Sequence, residues 1–450
     1  MSPPVTAPGR LARLRAALRD SPPLLWAFLY FFCLLSGYYV LRPVRDAMAA
    51  SADVQAVFPP LLVEAFASRG LDLAGFVLQV LFTATFLIML ALQPVYGALV
   101  SRFPRRVFLP VIYLFFIVTL LLFRLVFDAG LPGRGMVFYL WIAVFNLFAV
   151  AVFWSFMADI FETREAHAYY GYIGAAGTLG AICGPVLTRA LVERIGIADL
   201  MLVAAGFLVL CVVALLRLRR WAREREQARG QHDAEQPLGG EILGGLRLIA
   251  REPLLRWMAV LVVLGVGVGT LLYNEQLALV RRLFPDPREA TAYFANIDLA
   301  VNALTLLTQV FVTRRVLLRY GIAPALIVPA ALVFLGYAAL AASPLPLLLA
   351  VAQVVVRSGE FALHKPARES VYTRVAREWR YKAGAAIDTV VYRGADLTFV
   401  WVHKLVSGLG SSAVFGLGML VSLGLAASGY RVWREQRCLP VRASGPVPSG

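Results

Sequence analysis

AGFVLQVLFTATFLIMLALQPVYGALVSRFPRRVFLPVIYLFFIVTLLLFRLVF, from Ala74 to Phe127, is two long apolar runs, 74–98 and 107–127, joined by a short basic bridge, Ser101 to Arg106. Each run is long enough to cross the roughly 30 Å of hydrocarbon in a bilayer as a helix. Lipid offers the backbone no hydrogen-bond partner, so a spanning segment of this length is read as a helix that satisfies itself.

Working outward, further runs of this kind lie near 24–45, 136–158, 169–191, 198–216, 254–275, 294–313, 322–342, 345–363, 383–405 and 411–431. The expected fold class is an all-α membrane protein of about twelve transmembrane helices in two six-helix halves. The chain divides into a leader (1–23), a first bundle (24–216), a charged linker (217–251), a second bundle (252–435) and a tail (436–450). The halves echo each other. SRFPRRVFLPV after the second span is similar to TRRVLLRYGIAPALIV after the eighth, and YGYIGAAGT at Tyr170–Thr178 is similar to YKAGAAIDT at Tyr381–Thr389, which points to duplication of a six-span unit.

Composition agrees. Hydrophobic residues are 60% of the 450, charged residues 16%, and the mean hydropathy is +0.73, whereas a soluble domain carries roughly 25% charged residues. A water-soluble enzyme is excluded on that ground. The net charge of +16 sits in short bursts between apolar runs, so it orients the chain in a membrane and implies no nucleic-acid partner. Placing the leader inside, with Arg10, Arg13, Arg15 and Arg19, gathers roughly two-thirds of all Lys and Arg on the same side. The expected location is therefore a bacterial inner membrane, multi-pass, with both termini cytoplasmic. Cys33, Cys183, Cys211 and Cys438 form no CxxC pair, and His167, His232, His364 and His403 are scattered. No metal site, cofactor or catalytic residue is expected.

A charge near the middle of a span costs on the order of 2.5–3.5 kcal/mol on insertion scales, so charges within spans mark candidate sites. In the first span, helical spacing puts Tyr38, Arg42 and Arg45 on one face, with Asp46 one turn beyond Arg42. This is a cationic patch with its own counter-ion, or an anchor for the outer end of the span. In the eleventh span Asp388, Tyr392 and Asp396 recur at helical spacing, and Arg393 stands where it can pair with Asp396. That pair reads as part of a site or as a buried tie fixing helix rotation. Asp159, Glu275 and Asp298 lie at the ends of the fourth, seventh and eighth spans, and Arg357 and Glu360 in the tenth. GAAGTLGAICGP, Gly174–Pro185, reads as a close helix contact. The basic stretch from His364 to Lys382, with Arg368, Arg374, Arg377 and Arg380, reads as an amphipathic helix on the inner surface against anionic lipid.

The short basic loops after the second span of each half resemble those of the major facilitator superfamily. Three longer stretches narrow the likeness: LRPVRDAM (41–48), FWSFMADIFETREA (153–166) and KPARESVYTRVAREWRYKAGAAIDTVVYRGAD (365–396). They resemble the nucleotide translocase (ATP:ADP antiporter) family and its free-living bacterial relatives, from about Tyr38 to Asp396. The resemblance implies a twelve-helix major-facilitator scaffold exchanging nucleoside triphosphates for diphosphates or related anions, with basic residues holding phosphates. Arg42, Arg45 and Asp46 match the family's basic-basic-acidic element, Asp159 and Glu275 its acidic positions in the fourth and seventh spans, and Lys382, Asp388 and Arg393 the motif entering the eleventh. The chain departs where Arg45 replaces a usual Lys, and where Gly394-Ala395-Asp396 puts an acid in place of an expected Gly-Lys.

The expected function is secondary transport or exchange of an organic anion, nucleotides among the candidates, by alternating access. Tyr38, Arg42, Arg45, Lys382, Tyr392 and Arg393 are the candidate binding residues. Asp46, Asp159, Glu275, Asp298, Asp388 and Asp396 would balance charge or carry a coupled proton. Two rivals stand beside it: a proton-coupled carrier of a non-nucleotide solute, told apart by accumulation without a counter-substrate, and a membrane sensor or assembly factor on a carrier scaffold, told apart by a stoichiometric partner and no flux.

Overall fold

A computed structural model describes residues 23–102, 105–161, 163–229, 242–372, 375, 379 and 383–438, with side chains at 93–108, 159, 163–164, 166–168 and 226–243 outside that description. The expected leader and most of the expected tail therefore lie outside the described residues, as does Lys382. The expected linker is seen at its ends only: the sixth span runs on as helix to Arg229, and a short helix, Ile242–Arg251, leads into the seventh.

Among the described residues twelve long helices follow in order, eleven of them lying in stretches long and apolar enough to cross a membrane and α11 being the more polar exception. They are α1 (Pro23–Ala50), α2 (Val77–Arg102), α3 (Arg105–Asp128), α4 (Arg134–Ile160), α5 (163–195), α6 (197–229), α7 (Pro253–Leu283), α8 (Pro287–Tyr320), α9 (Ile322–Ala342), α10 (Pro346–Tyr372), α11 (384–407) and α12 (Ser411–Arg437). Helices α5 and α6 are one unbroken helical stretch except at Gly196, whose φ of 79° turns the chain. A residue with a Cβ is strained in that conformation, so glycine makes the corner between two spans. The twelve spans form an all-α membrane protein in two six-helix halves.

Three spans contain a wide π turn, at Gln309–Thr313 in α8, Glu360–His364 in α10 and Ile387–Val391 in α11. Such turns carry one extra residue and leave carbonyls free to bond elsewhere. Those of α8 and α10 dock on each other: Thr313 Oγ1 donates to the Ala362 carbonyl at 2.7 Å and Gln309 Nε2 to that of Phe361 at 3.2 Å. Residues 365–372 simply prolong α10, and His364 and Arg368 are buried. The surface helix expected from His364 onward is corrected to that extent, because Arg368 is buried against α11, where it pairs with Asp388; 373–374, 376–378 and 380–382 lie outside the described residues.

The first half packs around aromatic rings, with Tyr30, Tyr113, Phe138 and Phe153 fully buried. The second packs around aliphatic side chains such as Leu255, Met258 and Leu271. A third cluster joins the halves at the end of the molecule away from the termini, here the distal face. It sets Ala47, Phe58 and Leu81 against Leu277, Val280, Phe294 and Val400. Polar links reinforce it: Gln79 Nε2 donates to the Val400 carbonyl (3.1 Å), Lys404 Nζ to that of Gly75 (2.7 Å), and Arg281 Nη1 to that of Ala74 (3.0 Å).

Helix α1, which carries the first candidate residues, is set by α5. A Cβ at Gly180 would stand 2.5 Å from the Phe32 carbonyl oxygen, and one at Gly184 would stand 2.8 Å from that of Ser36. Backbone lies against backbone here, as small residues allow in membrane helices. Gly174, in the same run, has open space around it. Gly180→Ala is expected to destabilise the purified protein by about 1–3 kcal/mol through overpacking, while Gly174→Ala leaves its melting temperature within error of the unaltered chain; thermal unfolding in detergent reads both.

Candidate substrate site between the halves

Ordinary helical periodicity brings Arg42, Arg45 and Asp46 to the side of α1 that meets the second half. Arg45 donates to Asp46 Oδ1 through Nη2 at 2.6 Å and Nε at 2.9 Å, and its guanidinium lies 5.1 Å from the ring centre of Tyr139 on α4. The same carboxylate oxygen accepts the Tyr273 hydroxyl of α7 at 2.9 Å, which ties the two halves together through a neutral donor. Asp46 is thus the counter-ion of Arg45. Arg42, over the ring of Tyr39 at 5.6 Å, turns to the other half and reaches Asp298 of α8 at 3.5 Å. Asp298 also takes Arg357 of α10 at 2.8 Å and is almost wholly buried.

Helix α11 supplies the opposing wall. Asp396 accepts from Thr270 Oγ1 of α7 at 3.0 Å and from Arg393 Nη1 at 3.3 Å. Arg393 lies over Tyr392, its ring centre 5.7 Å away. Tyr392 is within electrostatic reach of Arg42, Arg393, Asp396 and Glu360, and Tyr139 of Arg45, Asp46, Arg393 and Asp396. Residues from α1, α4, α7, α8, α10 and α11 therefore make one charged belt across the seam. Tyr38 stands at its edge, its ring 6.5 Å from Phe145 in the first half's core.

Other candidates stand apart. Glu275, two residues beyond Tyr273, points into the second half and pairs with His403 Nε2 of α11 at 2.9 Å. Asp388 lies nearer the termini and takes Arg368 Nη2 of α10 at 2.7 Å, with half its surface open. Asp159 closes α4, its side chain outside the described residues, and Lys382 is outside them altogether. Sequence reasoning missed Arg368, Tyr273, Tyr139, Thr270 and His403 as partners, and left Arg357 out of the site. A charge deep in an apolar run was the available signal for Arg357; for the others the partner lies at a distance in sequence that no local spacing reveals.

Guanidinium groups present several donors in a fixed plane, suited to carboxylate and phosphate. Each already has a carboxylate within reach, which is how such charges are tolerated away from water.

Comparison with known proteins follows the same line. The profile of the Major Facilitator Superfamily matches residues 47–395. "ADP,ATP carrier protein 1" of Chlamydia trachomatis serovar D is 23% identical over 432 residues, covering 81% of this chain and 78% of that protein. The protein of that name from Chlamydia muridarum is 23% identical over 428 residues, with the same shares of each chain covered. Among solved structures, a bacterial homologue of the iron transporter ferroportin in an inward-facing state superposes with a TM-score of 0.60 at 11% identity, over 93% of this chain and 99% of that one. A POT family transporter in complex with 5-aminolevulinic acid superposes with a TM-score of 0.59 at 14% identity, over 91% and 96%.

Removal of one member of the Glu275–His403 pair leaves a buried acceptor without its donor. His403→Ala is expected to cost about 1–3 kcal/mol of stability, and adding Glu275→Gln to it restores part of the loss. Melting temperatures of the two variants check this, and equal losses in both would contradict it.

Proposed function

The chain belongs to the major facilitator superfamily, and we propose that within it the protein is a secondary carrier of an organic anion, working by alternating access between its two halves. It is a membrane transporter by family; the anion is the finer reading. The observation that carries it is the belt of arginines from both halves, Arg42, Arg45, Arg357 and Arg393, gathered at membrane depth beside the seam. Charges there are costly unless they serve a pathway or a partner.

Nucleotides are the first substrates to test. The likeness to the chlamydial ADP,ATP carriers extends over most of the chain and supports that choice, as do the stretches around Arg42 and Arg393. Burst-wise Lys and Arg support an orientation with the termini face in the cytoplasm of a bacterial inner membrane. On this reading the distal cluster is the closed outer gate, and Asp46, Asp298, Asp388 and Asp396 hold the arginines between turnovers. A coupled proton would have acceptors in the same carboxylates and in Glu275–His403.

Counterflow in proteoliposomes tests this, with labelled ATP, ADP and non-nucleotide organic anions offered against an internal pool. At least one anion is expected to exchange, and Arg42→Gln and Arg393→Gln each to slow exchange by about tenfold or more, the worth of a charge-assisted hydrogen bond, without loss of membrane insertion. Uptake of a neutral solute driven by a proton gradient, with no anion exchanged, would overturn the proposal.

A further inference from the structure

Counter-charges along the seam are shared unevenly. Arg45 has Asp46 and Arg393 has Asp396, each within its own helix. Arg42 and Arg357, from opposite halves, have Asp298 between them. Both contacts fall on the same oxygen, Oδ1, at 3.5 and 2.8 Å. The other oxygen, Oδ2, makes no hydrogen bond, nor do Arg42 Nε and Arg357 Nη2, and all three atoms are shut off from the surface. Two guanidiniums facing one carboxylate would ordinarily use both of its oxygens. Buried polar atoms left over in this way are costly and call for an explanation.

The count of donors gives one. Two guanidiniums on one carboxylate leave donors over, and Glu360, one turn along α10 and within electrostatic reach of Arg357, makes no ion pair with either guanidinium. Arg42–Asp298 is also, among the described residues, the one ion pair that crosses from one half to the other.

We propose that Arg42 and Arg357 form an exchangeable subsite for one carboxylate-sized monoanionic group, in which Asp298 is the resident occupant. The incoming group takes the donors that Asp298 leaves open, competes for Arg42, and loosens the tie between the halves as it binds. That this group belongs to the transported solute rests on the anion-carrier reading. The subsite favours a solute that presents a lone carboxylate here. A polyphosphate brings more negative charge than the two guanidiniums can match, and sets it close to Asp298, where like charges in a poorly solvated setting repel strongly.

Chemical rescue tests the subsite on the purified full chain. Asp298→Ala empties the carboxylate position and is expected to lower the melting temperature. Sodium formate, against sodium chloride at equal ionic strength, is expected to raise it again by about 1–2 °C, saturably, the shift per unit of stabilisation being small in a chain of this length. The unaltered protein, in which formate must compete with a tethered carboxylate, responds much less, and Asp298→Ala combined with Arg357→Gln does not respond. Should Asp298→Ala yield no folded protein, Asp298→Ser carries the same test, because the short hydroxyl leaves the carboxylate's room open without supplying charge: formate stabilises it more than it does the unaltered chain. No formate response in the single variants, or an equal response in all of the proteins, overturns the proposal. Counterflow separates this from the carrier reading. Formate rescue without any anion exchange leaves the subsite standing and sinks the carrier, whereas anion exchange without rescue does the reverse.

Discussion

A guanidinium that leaves water for a lipid-embedded bundle must keep an opposite charge within reach, and this requirement organises the middle of the molecule. The desolvation of an ion is offset only by close, well-directed partners. Arg42, Arg45, Arg357, Arg368 and Arg393 each have one, at 2.6–3.5 Å. Those partners come from α1, α8 and α11, so the positions of three helices in two halves are bound up with the neutralisation of five side chains. A purely structural use of charge has cheaper solutions, since apolar residues of similar volume often stabilise as well or better.

The seam is held differently at different depths. At the distal face it is an apolar cluster with side-chain donors resting on carbonyls, from Gln79, Arg281 and Lys404. Deeper in, it is ionic and hydrogen-bonded, through Arg42–Asp298 and Tyr273–Asp46. The apolar part needs only contact to form, whereas the ionic part depends on the charge of its partners, and on the proposed reading an anion competing for the same donors would weaken it. A carrier needs both properties: a closure that forms by itself and a middle that senses what has arrived. Wide π turns lie in the same helices, α8, α10 and α11, that carry Asp298, Arg357 and Arg393, and such turns are frequent in helices that bear functional residues.

Much of this was legible in the sequence, and the limits are physical. Span positions follow from hydropathy, since twenty apolar residues have few other uses. Arg393 and Asp396 are three apart on one helix, and their pairing could be read from spacing alone. Spacing placed Asp46 as the counter-ion of the first span's patch without saying which arginine it serves; it pairs with its neighbour Arg45, while Arg42 reaches across the seam to Asp298. The run around Gly180 was correctly read as a packing contact. Arg368 was placed on the surface because its stretch is basic; its tie to Asp388 depends on how α10 and α11 approach, and no periodicity encodes that. The π turns left no sign at all, being local accommodations to the packing of neighbours.

Opening of the distal seam is the claim on which the rest stands, and thiol accessibility measures it most directly. Val400, fully buried in the cluster that joins the halves, would be replaced by cysteine in a chain otherwise free of cysteine. A membrane-impermeant maleimide would then be supplied to the distal face of sealed vesicles. The account predicts slow but complete modification, faster when Asp298→Asn removes the ionic tie between the halves. Absence of modification in both proteins, while a cysteine at exposed Arg69 reacts at once, would contradict it and leave a sealed scaffold instead of a carrier.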